Sequence, residues 1–190
     1  MSLNIPKHFV PTKLPEVNRA WTQVWRELDK MGFSCRRLST CQVYLGVVSV
    51  AYGYQWFGDR EDGRSCGDIV LPRVSLSRWA DYLNGQRFTS VVDVLRHEYG
   101  HAYADVNRWR IETKKFEQAF GFPHEWWDDY ELEYDPYHHV TEYAATAPGE
   151  DFAEVFWLFL KHKGKLPKRL DTPPIRKKWR FVSNLAKVIQ

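Results

Sequence analysis

The chain has 190 residues, 44% hydrophobic and 16% aromatic with nine Trp, which is ample material for a core and excludes a disordered chain. Its formal charge of +3 is unevenly spread: residues 161–190 hold ten Lys/Arg against the single acid Asp171, and the remainder is net acidic. The longest apolar runs, Val43 to Ala51 and Phe152 to Leu160, are too short for a bilayer, so no membrane span is expected.

Pro15 suits the first turn of a helix, where a missing N–H costs little. Behind it Val17, Ala20, Trp21, Val24, Trp25, Leu28 and Met31 recur at helical spacing until Gly32 ends the run. Gln42–Val50 reads as a strand, and Gly53 with Gly58-Asp59 as turn or bulge residues. Asp68–Ser75 is a second strand candidate, placed at a sheet edge because Pro72 cannot donate to a ladder. Ser77 to Leu83 is a short helix closed by Asn84-Gly85. Ser90 then caps a helix running to about Asn107. Thr113 to Phe120 is another short helix, stopped by Gly121 and Pro123. Glu125–Asp135 sets six acids among Trp126, Trp127, Tyr130 and Tyr134 and reads as surface, and Tyr137 to Pro148 reads as loop. Glu150 to His162 is a strong helix with Phe152, Val155, Phe156 and Phe159 inward. Ile175 to Val188 is a final basic amphipathic helix.

The length fits one domain over residues 1–190 with a basic C-terminal extension at about 163–190. A basic helix resting on an acidic body is the expected arrangement. Cys35, Cys41 and Cys66 are an odd number with no Cys-x-x-Cys pair, which suits buried thiols in a reducing compartment. No apolar leader lies between Met1 and Thr12, so a cytoplasmic location is expected, although specialised export leaves no such mark.

The chemistry concentrates at His97-Glu98-Tyr99-Gly100-His101, inside the helix that Ser90 opens. Imidazoles four residues apart share one helix face, roughly 6 Å apart along the axis, and both can reach one tetrahedral Zn²⁺. Glu98, beside the first of them, is spaced to act on water at that ion. Random order would yield roughly 0.02 such matches in a chain of this composition. Zinc needs a further protein ligand. A histidine six residues after His101 is ruled out, because Asn107 stands there, with Ala104 where that pattern has glycine. The alternative is a carboxylate from Glu150-Asp151-Phe152-Ala153-Glu154. Glu150 and Glu154 lie one turn apart, so that one can ligate while the other orients a ligand imidazole. Acids at a helix N-terminus favour the dipole in any case; that explains Glu150 better than Glu154 among phenylalanines.

These two motifs, with Tyr143 before the second, resemble the gluzincin-type zinc metallopeptidases, in particular the group containing the catalytic domain of anthrax lethal factor and related bacterial peptidases. The resemblance covers residues 42–161 in element order, and only the motifs are specific. It implies an α+β, zincin-like fold: a small mixed twisted β-sheet, an HExxH helix and a second glutamate-bearing helix. It also implies that Glu150 is the third ligand of one Zn²⁺ per chain, that Glu154 contacts the ligand shell, and that Tyr143 points at the metal. The acidic Trp-rich segment and the basic tail have no counterpart there.

On this reading the substrate is a polypeptide, extended along the Asp68–Ser75 edge. Zinc activates water and polarises the carbonyl, Glu98 carries the proton to the leaving amine, and Tyr143 bonds the oxyanion; loop packing is the plain alternative for Tyr143. Asp105 is weighed as a partner of a ligand and assigned as an exposed acid, and His138 and His139 are assigned to the loop. The competing function is a non-catalytic zinc-binding interaction module, for which Glu98 would have no use, since structural sites close with four protein ligands. Nucleic acid is not an expected partner, because only Trp179 and Phe181 interleave the basic tail. Nothing in the sequence speaks to oligomeric state.

Overall fold

The computed structural model describes residues 12–34, 41–49, 53–59, 65–75, 90–125 and 133–186. In chain order these form α1 (Leu14–Lys30), β1 (Val43–Ser49), β2 (Gly53–Asp59), β3 (Ser65–Ser75), α2 (Val91–Val106), α3 (Arg108–Ile111), α4 (Lys114–Phe120), a 3₁₀ turn (Tyr143–Ala145), α5 (Pro148–Lys161), a second 3₁₀ turn (Lys168–Leu170) and α6 (Pro173–Ala186). The architecture is α+β, helix-rich, with one small mixed sheet. The expected helix from Ser77 and most of the acidic Trp-rich segment lie outside the described residues.

The sheet order is β1-β3-β2, with β1 parallel and β2 antiparallel to β3. This corrects the reading of Asp68–Ser75 as an edge strand, because β3 is central. Pro72 is tolerated there by the alternation of backbone direction along a strand. Ile69 N–H donates to the Gln42 carbonyl on the β1 side, so the Pro72 nitrogen faces the β2 side. Among the described residues the pairing with β2 reaches only as far as Val70, opposite Gly53. The stretch Gly53–Asp59 is itself a strand, which the glycines at its ends had disguised as turn. The register breaks between Trp56 and Asp59, a stretch that includes Gly58, one of the residues expected to serve a turn or bulge.

α2 packs on β3 and β2 on one side and on α1 and α5 on others. Ser90 caps it, accepting from Asp93 N–H at 3.1 Å. The interior between α2 and α5 is aromatic: Tyr99, Tyr103, Phe152 and Phe156 are fully buried, and Phe33 meets Phe156 with ring centroids 4.8 Å apart. Phe33 gets there because Gly32 turns the chain in left-handed backbone (φ 75°), and a Cβ at Gly32 would meet the Ala186 carbonyl at 2.9 Å.

Two charged networks fix the helices. Arg96 grips Glu27 of α1 through two bonds of 2.7 and 2.8 Å and also bonds Asp93. Asp93 in turn accepts from Lys161 of α5 at 2.8 Å. Three helices are thus joined by charge-assisted bonds, bidentate between α1 and α2 and single between α2 and α5, one residue from His97. At the other end of α5, Lys178 of α6 is buried against Asp151 and also donates to the His138 carbonyl at 2.6 Å. Burial raises the Asp151 carboxyl even with that ammonium beside it. The stretch read as a basic extension therefore contributes Ile175, Trp179, Val182 and Leu185 to the core, while Arg176, Lys177 and Arg180 stay exposed. Among the described residues no helix is long and apolar enough to cross a membrane.

Candidate metal centre

α2 and α5 cross so that the faces bearing the two motifs meet. His97 Nε2 and His101 Nε2 stand 3.1 Å apart, and Glu150 Oε2 lies 3.2 Å from each of them. Three donor atoms at such mutual distances match one triangular face of a tetrahedral zinc site. Bonds of 2.0–2.1 Å imply ligand–ligand separations of about 3.3–3.4 Å. Among the described residues these three form the group that could hold a metal ion. Two nitrogens and one oxygen are a donor set that suits zinc.

The ligand atoms point inward because of what lies behind them. His97 Nδ1 is 2.7 Å from Glu154 Oε1. Nδ1–H donates to that carboxylate, which turns Nε2 toward the triangle, where a bound cation would replace the proton on it. The other Glu154 oxygen accepts from Thr141 Oγ1 at 2.7 Å. Glu154 is only 7% exposed, and both its oxygens are satisfied.

The electrostatics favour a cation. Burial alone would lower the His97 pKa, but its hydrogen bonds to Glu150 and Glu154, with the charges of Glu154 and Glu98, hold it up to about 10. Burial likewise opposes ionisation of Glu150, yet bonds from His101 and His97 keep its carboxyl well below the usual range. With the Glu150 carboxylate in the triangle and those of Glu98 and Glu154 beside it, positive charge placed there is strongly stabilised.

Glu98 is buried on α2, and its charge acts on both His97 and Tyr143. Tyr143 sits on the 3₁₀ turn that packs against α5, with its ring centroid 5.7 Å from that of His97. Burial, then the charges of Glu150, Glu98 and Glu154, raise its phenol well above the ordinary value. More than half of the residue remains exposed, at 54%, so it borders open space beside the ligands.

The sequence-derived residues His97, Glu98, His101, Tyr143, Glu150 and Glu154 are thus brought together. Asp105 is paired with Arg108 at 3.0 Å and is only 12% exposed at its side chain, in contrast to the exposed acid expected. His138 is exposed in its loop, 3.8 Å from Asp135. Sequence reasoning missed Thr141, which has no motif of its own; its only mark is a position two residues before Tyr143. No family model, curated protein or solved structure matches the chain.

Proposed function

We propose that the chain is a zincin-like zinc metallopeptidase of the gluzincin type, hydrolysing peptide bonds in a polypeptide substrate. The observation that carries this reading is the triangle of His97, His101 and Glu150 at 3.1–3.2 Å, with Glu98 and Tyr143 beside it. These three side chains would hold one Zn²⁺ per chain. When bound, zinc supplies Lewis acidity, making water nucleophilic at neutral pH and a carbonyl electrophilic.

The protein's own groups do the rest. Glu98, next in sequence to the first ligand, takes the proton of the attacking water and returns it to the leaving amine. Tyr143 keeps its proton at neutral pH, because three carboxylates oppose its ionisation. It is therefore a hydrogen-bond donor for the oxyanion that develops on the carbonyl. Glu154 holds the His97 ring in the ligating tautomer. An extended substrate finds main-chain partners along β2, which pairs with β3 on one side only among the described residues and packs beside α2.

Incubating the zinc-loaded chain with a random peptide library, read by mass spectrometry, tests this. Cleavage that stops with a chelator and returns with zinc is expected. A fully loaded chain that cuts no peptide contradicts the proposal.

A further inference from the structure

We propose that the Thr141 hydroxyl is a positioning group that ties the His97 imidazole and the Tyr143 turn into one hydrogen-bonded unit. A hydroxyl has one proton to give and lone pairs to receive. Here the proton goes to Glu154 Oε2 at 2.7 Å, and a lone pair accepts the Ala144 N–H at 3.1 Å. Glu154 passes the constraint on through its other oxygen, 2.7 Å from His97 Nδ1. Ala144 passes it to Tyr143, because the two share the 3₁₀ turn closed by Ala145 N–H to the Glu142 carbonyl at 3.0 Å. One side chain thereby sets the rotation of a ligand ring and the place of the tyrosine.

Glu154 makes the linkage necessary. Its carboxylate is buried, so an oxygen that loses its donor bears a desolvation cost. Without the Thr141 proton the carboxylate turns to regain a partner, and the oxygen that orients His97 moves with it. A threonine that merely capped the local turn would change folding stability and leave the metal untouched. The two roles therefore predict different measurements.

The kinetic part of this proposal rests on the metallopeptidase reading, and the metal part rests on the ligand geometry alone. The test compares wild type, Thr141→Val and Thr141→Ser, with zinc affinity from competition against a chromophoric chelator, the visible spectrum of the cobalt-loaded proteins, and kcat and KM on one cleaved peptide. Thr141→Val is expected to weaken zinc by about tenfold, the low end for an outer partner of a ligand. It should also shift the cobalt bands and lower kcat with KM little changed, and Thr141→Ser should restore all three. In a Glu154→Ala background Thr141→Val should weaken zinc no further, because the constraint runs through Glu154. Thr141→Ala, read the same way, replaces Thr141→Val if that variant does not fold. Unchanged zinc affinity and cobalt bands without the hydroxyl, or full additivity with Glu154→Ala, would overturn the proposal. If zinc-loaded wild type cleaves nothing, the peptidase reading falls, while affinity and spectrum still decide the role of Thr141.

Discussion

Gly100 and Ala153 meet at the crossing of α2 and α5, the helices that carry the candidate ligands: a Cβ at Gly100 would stand 3.1 Å from the Ala153 Cα and 3.5 Å from the Phe156 Cβ. The helices therefore touch through nearly bare backbone. His97 and His101 flank Gly100 on α2, and Glu150 and Glu154 flank Ala153 on α5. The closeness of this crossing sets the distance between imidazoles and carboxylates.

Gly100→Ala should change folding stability little, because a gain in helix propensity of about 1 kcal/mol is offset by pushing α5 outward. Zinc affinity should still fall several-fold, since the Ala153 backbone cannot rotate away. Gly100→Val adds branching at the same point and should cost about 1–3 kcal/mol as overpacking. Denaturant midpoints with metal removed, alongside zinc competition, separate the two effects. Unaltered zinc affinity in both variants would show that the crossing does not set the ligand distances.

Glu154→Ala should bind zinc about 10- to 100-fold more weakly than wild type, yet still reach one ion per chain at saturating zinc. Glu150→Ala removes a ligand atom and should lose more. Metal analysis across a zinc titration checks the order, and a reversed order would make Glu154 the ligand.

Lys178→Met should destabilise the chain by about 3–5 kcal/mol, because it leaves the Asp151 carboxylate buried without its counter-charge. Lys178→Met combined with Asp151→Leu should recover much of that loss. Urea unfolding of wild type and the two variants measures it, and a harmless single substitution would show that the pair does not hold α6 to α5.

The metal-free chain should lose stability as pH falls from about 6.5 to about 4. His124 lies against Phe116 and Phe152, and burial, then the charges of His101 and Arg108, lower its pKa to about 4 against the pull of Glu125 and Glu150. His139 falls to about 4 through burial and the charges of Lys178 and His138, with Asp135 opposing. Both rings are neutral when folded and charge on unfolding in this window. Asp151, raised to about 7 by burial against the pull of Lys178, is protonated in the fold over the same window and offsets one of them, so the unfolded chain binds about one proton more and gains as pH drops. His97, held up to about 10, is charged in both states here and adds no slope. Urea midpoints between pH 7 and pH 4 with chelator present check this, and His124→Phe should flatten the decline. A midpoint independent of pH would contradict it.

The HExxH helix was legible because all that makes it lies within sixteen residues: the Ser90 cap, two imidazoles at one-turn spacing and the carboxylate between them. The third ligand was harder. Charge and spacing left Glu150 and Glu154 equivalent, and only the family resemblance distinguished them; the structure separates them by which His97 nitrogen each faces. β2 was missed because Gly53 and Gly58 read as turn residues, although Tyr54-Gln55-Trp56-Phe57 between them has strand character. Pro72 misled because the rule against proline applies to one side of a strand at a time. Thr141 and Gly100 left no trace because their roles depend on packing between segments distant in sequence.

Zinc stoichiometry and peptide cleavage, measured together on wild type and Glu98→Gln, test the central claim most directly. The substitution keeps the three proposed ligands and removes the proposed base, so one zinc per chain is predicted in both proteins. Cleavage should fall in the variant by at least about 100-fold. Equal cleavage by the two, or a zinc-loaded wild type inert toward every peptide, would contradict the account; the second result would leave a zinc-binding interaction module in its place.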